Sequence, residues 1–145
     1  MSSYNVAVVG ATGAVGEVLI EILEQREFPV DQLFPLASER SAGTTVMFRN
    51  KRHIVGNLAE FDFSQVQIGL FSAGGSVSEE YAPKAADAGC VVIDNTSHFR
   101  YEDDIPLVVP EVNVASIADY RVRNIIANPN CSTIQMVVAL KPICD

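Results

Sequence analysis

Apolar and polar positions change period several times along the chain. Residues 5–9, Asn-Val-Ala-Val-Val, form a short β-prone run that ends at Gly10. Apolar positions then return at helical spacing: Val15, Val18, Leu19, Ile22 and Leu23 fall at i, i+3, i+4, i+7 and i+8, with Glu17, Glu21 and Glu24 on the other side. That spacing predicts an amphipathic helix with the five apolar residues on one buried face. Residues 28–31 read as a loop and 32–37 as a second strand. Residues 44–48 and 52–55 flank Arg49-Asn50-Lys51 and predict a small hairpin at an edge. Residues 67–71 and 90–93 are apolar runs without alternation, the pattern of parallel strands buried on both faces. Residues 77–88 read as a helix between them, closed by Gly89 as a C-cap glycine would close it. Residues 107–109 and 124–127 are the last strand candidates, with a short helical turn over 114–120. A final apolar helical pattern runs from Ile134 to Leu140, where Pro142 is expected to interrupt it.

Strands alternating with helices predict an α/β fold with a parallel sheet. The first junction also carries chemistry. Gly10, Gly13 and Gly16 are spaced Gly-x-x-Gly-x-x-Gly between strand and helix. Free N–H groups in the first helical turn and the helix dipole favour a negative charge there, and missing side chains let a pyrophosphate approach the backbone. The stricter dinucleotide fingerprint has a glycine where Ala11 stands, so the alternative is a tight turn without ligand. The flanking strand and helix favour nucleotide binding. About 20 residues on, where such a fold meets the adenosine ribose, stands Ser38-Glu39-Arg40-Ser41. Ser38, Arg40 and Ser41 suit the 2′-phosphate of NADP, whereas Glu39 suits NAD unless it points away. Ser72-Ala73-Gly74 and the polar cluster 94–100 follow later strands. Strand ends of an open α/β sheet gather round the ligand crevice, so these segments are candidates for cofactor contact, or else ordinary turns. Arg100 is a fixed fork for a phosphate or carboxylate, or a surface partner for Glu102, Asp103 or Asp104.

Composition narrows the partners. The chain has 145 residues, 48% of them hydrophobic, enough for a domain with its own core. A formal net charge of −8 argues against nucleic acid or an anionic membrane as partner. No stretch approaches a membrane span, and the start lacks a signal pattern. Three widely spaced cysteines, Cys90, Cys131 and Cys144, without a Cys-x-x-Cys, suggest reduced thiols in the cytoplasm and no zinc site. Cys90 lies in an apolar strand and reads as an inert core thiol. Cys131 differs, because it stands between a strand and the start of a helix. The first-turn amides there favour a thiolate and could hold a developing oxyanion. A nucleophilic cysteine beside a nicotinamide site implies attack on an aldehyde, hydride loss from the thiohemiacetal and an acyl thioester.

Gly-Ala-Thr-Gly-Ala-Val-Gly at 10–16, Ala-Ser-Glu-Arg-Ser-Ala-Gly at 37–43, Phe-Ser-Ala-Gly-Gly-Ser at 71–76, Asp-Asn-Thr-Ser-His-Phe-Arg at 94–100, Val-Pro-Glu-Val-Asn at 109–113 and Asn-Pro-Asn-Cys-Ser-Thr at 128–133 occur in that order. Together they resemble the aspartate-β-semialdehyde dehydrogenases. The resemblance implies a Rossmann-like doubly wound, mostly parallel sheet with helices on both faces. It also implies NADP-dependent reductive dephosphorylation of β-aspartyl phosphate to the semialdehyde, in the biosynthesis of lysine, methionine and threonine. By the same resemblance Cys131 is the nucleophile, Asn130 orients substrate and Arg100 binds the substrate's phosphate or incoming phosphate. Gly10, Thr12, Gly13, Ala14, Val15, Ser38, Arg40, Ser41, Ser72, Ala73, Gly74 and Asn95 would line the NADP site.

Members of that family are more than twice as long and form homodimers. Their second half carries the general-base histidine, a glutamine near the cysteine and the arginine for the substrate carboxylate. His53 and His98 match neither the base nor its context. The expected organisation is therefore an NADP-binding domain over 1–127, then the cysteine motif and first helix of a catalytic domain over 128–145, the rest of that domain being absent. The expectations that follow are no turnover by this chain alone, and exposed apolar surface along 134–140 that favours self-association. Two other readings stay open: a nucleotide-binding module without turnover, and a sister reductase such as N-acetyl-γ-glutamyl-phosphate reductase, whose cysteine lies in a different local motif.

Overall fold

The computed structural model describes residues 2–145. In chain order the strands are β1 (Tyr4–Val9), β2 (Val30–Ala37), β3 (Thr45–Phe48), β4 (Lys51–Ile54), β5 (Gly56–Asn57), β6 (Ile68–Phe71), β7 (Val91–Asp94) and β8 (Ile125–Ala127). The α-helices are α1 (Ala14–Gln25), α2 (Gly75–Asp87), α3 (Pro110–Asn113) and α4 (Cys131–Cys144). Six strands form one parallel sheet in the order β5-β2-β1-β6-β7-β8. The chain thus winds outward from β1 in one direction and from β6 in the other. The crevice of such a sheet opens at the carboxyl ends of the strands where the order reverses, here between β1 and β6.

Two cores follow from the two faces. On one, Val6 and Val8 of β1 pack with Ala11, Ile20, Val30, Leu33 and Phe48 beneath α1 and the hairpin. On the other, Ala7, Val9, Phe71 and Val92 pack with Phe63 and with Ala82, Ala85 and Ala86 of α2. The predicted hairpin is β3–β4, closed by Arg49 and Asn50, both at positive φ, the backbone of a two-residue hairpin turn. Arg49 secures it by donating to the carbonyls of Phe28 and Val30 at 2.7 and 2.8 Å.

Several expectations are corrected. The buried face of α1 is Gly16 and Ile20, with Leu19 and Leu23 half-buried, whereas Val15, Val18 and Ile22 are 45%, 49% and 39% exposed. The glycine turn fixes this orientation: Gly16 sits so close to Gly10 that an added Cβ would overlap the Gly10 carbonyl. β6 and β7 are not buried on both faces, since burial alternates along each and Ile93 is exposed. The reason is that Ile68, Leu70 and Ile93 face the α1 side, where Ile68 and Leu70 only border the core under α1 and, among the described residues, no helix covers Ile93. β2 starts at Val30, inside the stretch read as loop, because Val30 joins the core under α1. Residues 107–109 form no strand; Leu107 makes an isolated bridge to Ala127, and Pro106 and Pro110 limit any longer ladder. A 3-10 segment, Val114–Val122, extends past the helical turn expected there. Pro142 does not interrupt α4, which runs on to Cys144. In the last turn its missing N–H forfeits a single helical bond, and Asp145 still donates to Lys141 at 3.1 Å.

Candidate active site

The turn from β1 to α1 is built by close approach. Gly10 adopts φ +89°, and a Cβ there would sit 2.9 Å from the Ser72 carbonyl oxygen. Only glycine lets the β1 turn lie against the end of β6 in this way. Gly13 caps α1 with extended backbone and no side-chain bond. Glu17 N–H is the first to find a helical acceptor, on the Gly13 carbonyl at 3.0 Å. The amides of Ala14, Val15 and Gly16 therefore remain free to face an anion at the positive end of the helix.

Two clefts meet this turn. One, of about 390 Å³, is lined by Gly10, Thr12, Ser38, Ser41 and Ala73, all predicted, and also by Glu39. Ala37, the last residue of β2, lines it too, and sequence reasoning missed the rest of its wall, Asn57, Leu58, Ala59, Val77 and Tyr81. Asn57 belongs to a two-residue strand and caps a 3-10 turn through Ala59 N–H, a pattern too short to leave a periodic signal. Val77 and Tyr81 lie four apart on α2, and that spacing was the available clue. The other cleft, about 310 Å³, is lined by Val15, Ser72, Gly74 and Asn95, with Gly75, Thr96 and Ser97 added. Gly13 and Ala14 are exposed in the turn itself, and Arg40, exposed between the lining residues Glu39 and Ser41, lines neither cleft. The sequence left Glu39 neutral only if it pointed away; it lines the cleft instead.

The ends of β7 and β8 carry a second cluster. Arg100 is half-buried and donates through Nε to the Asn128 carbonyl at 2.8 Å and through one Nη to the Asn95 carbonyl at 3.4 Å. It forms no ion pair with the nearby acids; Asp104 pairs with Arg123 at 3.2 Å instead. Its other Nη carries no hydrogen bond among the described residues. Asn128 in turn donates from its side chain to Asn95 Oδ1 at 2.7 Å. Asn130 caps α4, its Oδ1 accepting from Ser132 N–H at 2.9 Å. Cys131 is the first residue of α4 and is exposed. It follows Asn128 by three residues, so its Cα lies within about 11 Å of that cluster. Cys144 is exposed at the opposite end of the same helix. Cys90 is buried, and desolvation pushes its thiol up to about 12. At that value it stays protonated and inert at neutral pH.

α4 has no buried residue, and Met136, Val138, Leu140 and Ile143 are all exposed. Among the described residues no helix is long and apolar enough to cross a membrane.

Comparison with known proteins adds the family. The model of the semialdehyde dehydrogenase NAD-binding domain matches residues 5–120. Aspartate-semialdehyde dehydrogenase of Shewanella sp. (strain DB6705) is 67% identical over 142 residues, which make up 98% of this chain and 42% of that protein. The crystal structure of aspartate semialdehyde dehydrogenase II from Vibrio cholerae, complexed with ASA, superposes with a TM-score of 0.97 at 68% identity, over 98% of this chain and 46% of that one. The enzyme of Candida albicans with NADP gives 0.81 at 27% identity, over 98% of this chain and 47% of that one. The chain thus spans less than half the length of the relatives it matches.

Proposed function

Because the chain belongs to the semialdehyde dehydrogenase family through its NAD-binding domain, we propose that it is the nucleotide-binding and nucleophile-bearing part of an aspartate-semialdehyde dehydrogenase. Residues 1–127 bind the dinucleotide, and 128–145 supply the cysteine motif and first helix of the catalytic domain of a longer enzyme. The whole enzyme takes L-aspartyl 4-phosphate to aspartate semialdehyde and phosphate and works as a cytoplasmic homodimer.

The free amides of Ala14–Gly16 hold the pyrophosphate, and the 390 Å³ cleft takes the adenosine end. Ser38 and Ser41 donate hydroxyls to a 2′-phosphate, and the exposed guanidinium of Arg40 supplies charge beside them. These residues favour NADP, the nucleotide bound by the Candida albicans neighbour. When bound, the nucleotide exchanges a hydride at the carbonyl carbon. The Cys131 thiolate attacks the carbonyl carbon of the acyl phosphate, the C–O bond to phosphate breaks, phosphate leaves towards the free Nη of Arg100, and a thioester remains on Cys131. The sequence offered the amides of Ser132 and Thr133 for the developing oxyanion; Ser132 N–H is taken by the Asn130 cap, which leaves Thr133 N–H at the start of α4 to face it. Asn130, fixed by its cap bond to Ser132, orients the substrate.

One observation carries the reading: Arg100, free of acidic partners, is anchored on the Asn95 carbonyl and on that of Asn128, which lies three residues ahead of a cysteine that opens a helix. The test is turnover by the long enzyme with phosphate and NADP⁺. It is expected to oxidise L-aspartate 4-semialdehyde and leave N-acetylglutamate 5-semialdehyde untouched, with Cys131→Ser abolishing the rate. Preference for the second aldehyde would assign the chain to a sister reductase.

A second reading concerns the 145-residue chain alone, which is expected to bind nucleotide without turnover. His53 stacks edge-on against Phe48 in the hairpin and His98 against Phe99. Neither bonds to Cys131, so no general base attends the thiol among the described residues.

A further inference from the structure

The carboxylate of Asp94 is fully buried at the end of β7 and has no cationic partner. It is held entirely by neutral donors. Oδ1 accepts from Ser78 Oγ at 2.6 Å and from Thr96 N–H at 3.2 Å; Oδ2 accepts from Thr96 Oγ at 2.8 Å. Ser78, also fully buried, lies in the first turn of α2. Thr96 Oγ accepts in turn from His98 N–H at 3.3 Å. Three donors converge on its two oxygens, so both are satisfied inside the protein. Burying so polar a group is costly unless it is fully hydrogen-bonded, and a site that holds it this way calls for a reason.

The reason lies in what Asp94 spans. Its side chain joins the first turn of α2 to the loop that follows β7. Its carbonyl accepts from Asn128 N–H at 2.8 Å, which fixes the end of β8. The next residue, Asn95, donates its N–H to Phe71 O at 2.8 Å and offers its carbonyl to Arg100. We infer that Asp94 is a positioning residue: through Thr96 it sets the 95–100 loop so that Arg100 presents its free Nη to an anion. The inference rests on the anion-holding role proposed above for Arg100.

An asparagine cannot copy this arrangement. With its NH₂ at the Oδ1 place it opposes the Thr96 N–H; with NH₂ at the Oδ2 place it opposes the Thr96 hydroxyl proton, and one buried donor is stranded either way. Thr96→Val breaks the loop side and keeps the shape. Ser78→Ala breaks the helix side and leaves the loop contacts in place.

The probe is inorganic phosphate, titrated into the 145-residue chain and followed through the Asn128 side-chain amide, whose own residue accepts from Arg100. Asp94→Asn and Thr96→Val are expected to weaken phosphate about tenfold, with Ser78→Ala within twofold of the unaltered chain. Arg100→Ala is expected to abolish the response. A merely structural role would make Ser78→Ala, equally buried, behave like Thr96→Val, and that result overturns the inference. Wild-type affinity in both Asp94→Asn and Thr96→Val, with Arg100→Ala still silent, overturns it too and leaves the anion site standing. An unchanged response in Arg100→Ala would overturn the anion site and the inference together.

Discussion

Arg40 and Glu39 pull in opposite directions at the proposed adenosine end of the cleft. Ser38, Glu39 and Ser41 line it, while the Arg40 side chain stands outside in solvent. A carboxylate in that place repels a 2′-phosphate, and a guanidinium attracts one. Arg40→Ala is expected to weaken NADP at least tenfold and leave NAD within about twofold, a difference of about 1.4 kcal/mol per decade. Equal weakening of both nucleotides, measured by fluorescence titration, would remove the 2′-phosphate role. Cys90 gives a residue-scale prediction about pH. Its thiol sits at about 12 in the folded chain, whereas an unfolded thiol ionises near about 8.5. The folded value is raised, so its contribution to stability is complete below about 8.5 and is lost as pH climbs towards 12, where the unfolded form has shed its proton and the folded form has not. Cys90→Ala is expected to cost about 1 kcal/mol at neutral pH. It should also flatten the fall in urea midpoint above about pH 9 relative to the unaltered chain. An identical alkaline fall in both would show that Cys90 contributes nothing to it.

At the scale of elements, α1 shows how a local contact decides orientation. Five apolar residues at helical spacing predicted the buried face, yet three of them are exposed, because Gly16 must rest on Gly10. Gly16→Ala is expected to destabilise the chain by more than about 2 kcal/mol and to abolish nucleotide binding. Gly13→Ala, with its nearest obstacle at 3.5 Å and an ordinary φ of −82°, should be much milder. Comparable midpoints in denaturant for the two would contradict the close-approach account. The same contrast shows what the sequence made legible. Strand, glycine turn and helix could be read over residues 5–25 because each has its own period. The hairpin was legible from its polar turn, and α2 from its spacing and Gly89. The face of α1, the one-sided burial of β6 and β7, and the two residues of β5 were not, because each depends on which distant element lies above or beside it. In the site, Ser38, Ser41 and Asn95 stood out as polar residues at strand ends. Tyr81, Asn57 and Ser78 lie within or beside ordinary elements, and only the fold brings the first two to the crevice and Ser78 to Asp94.

The whole molecule is a doubly wound sheet with one half of one face open. Ile93 is exposed on the sheet, Ile68 and Leu70 are half-buried at the rim of the core, Val15, Val18 and Ile22 are exposed on α1, and α4 has no buried residue. The two clefts proposed to take nucleotide lie at the carboxyl ends of β1, β2, β6 and β7, and the Asn95–Asn128 bond carries that edge across to β8 and on to Cys131. The central claim is that nucleotide and thiol share one site. Cys131 and Cys144 provide an internal control, since both are exposed but occupy opposite ends of one helix. Free amides at the first end can meet a negative charge that develops there, and the free carbonyls at the second cannot. The deciding measurement is iodoacetamide alkylation of the 145-residue chain against pH, with and without saturating NADP, each labelled cysteine identified by peptide mapping. The account predicts that Cys131 labels fastest at mildly acidic pH, that NADP slows Cys131 and not Cys144, and that Cys90 stays unlabelled until the chain unfolds. Faster labelling of Cys144 than of Cys131 at every pH, or a Cys131 rate indifferent to NADP, would contradict it.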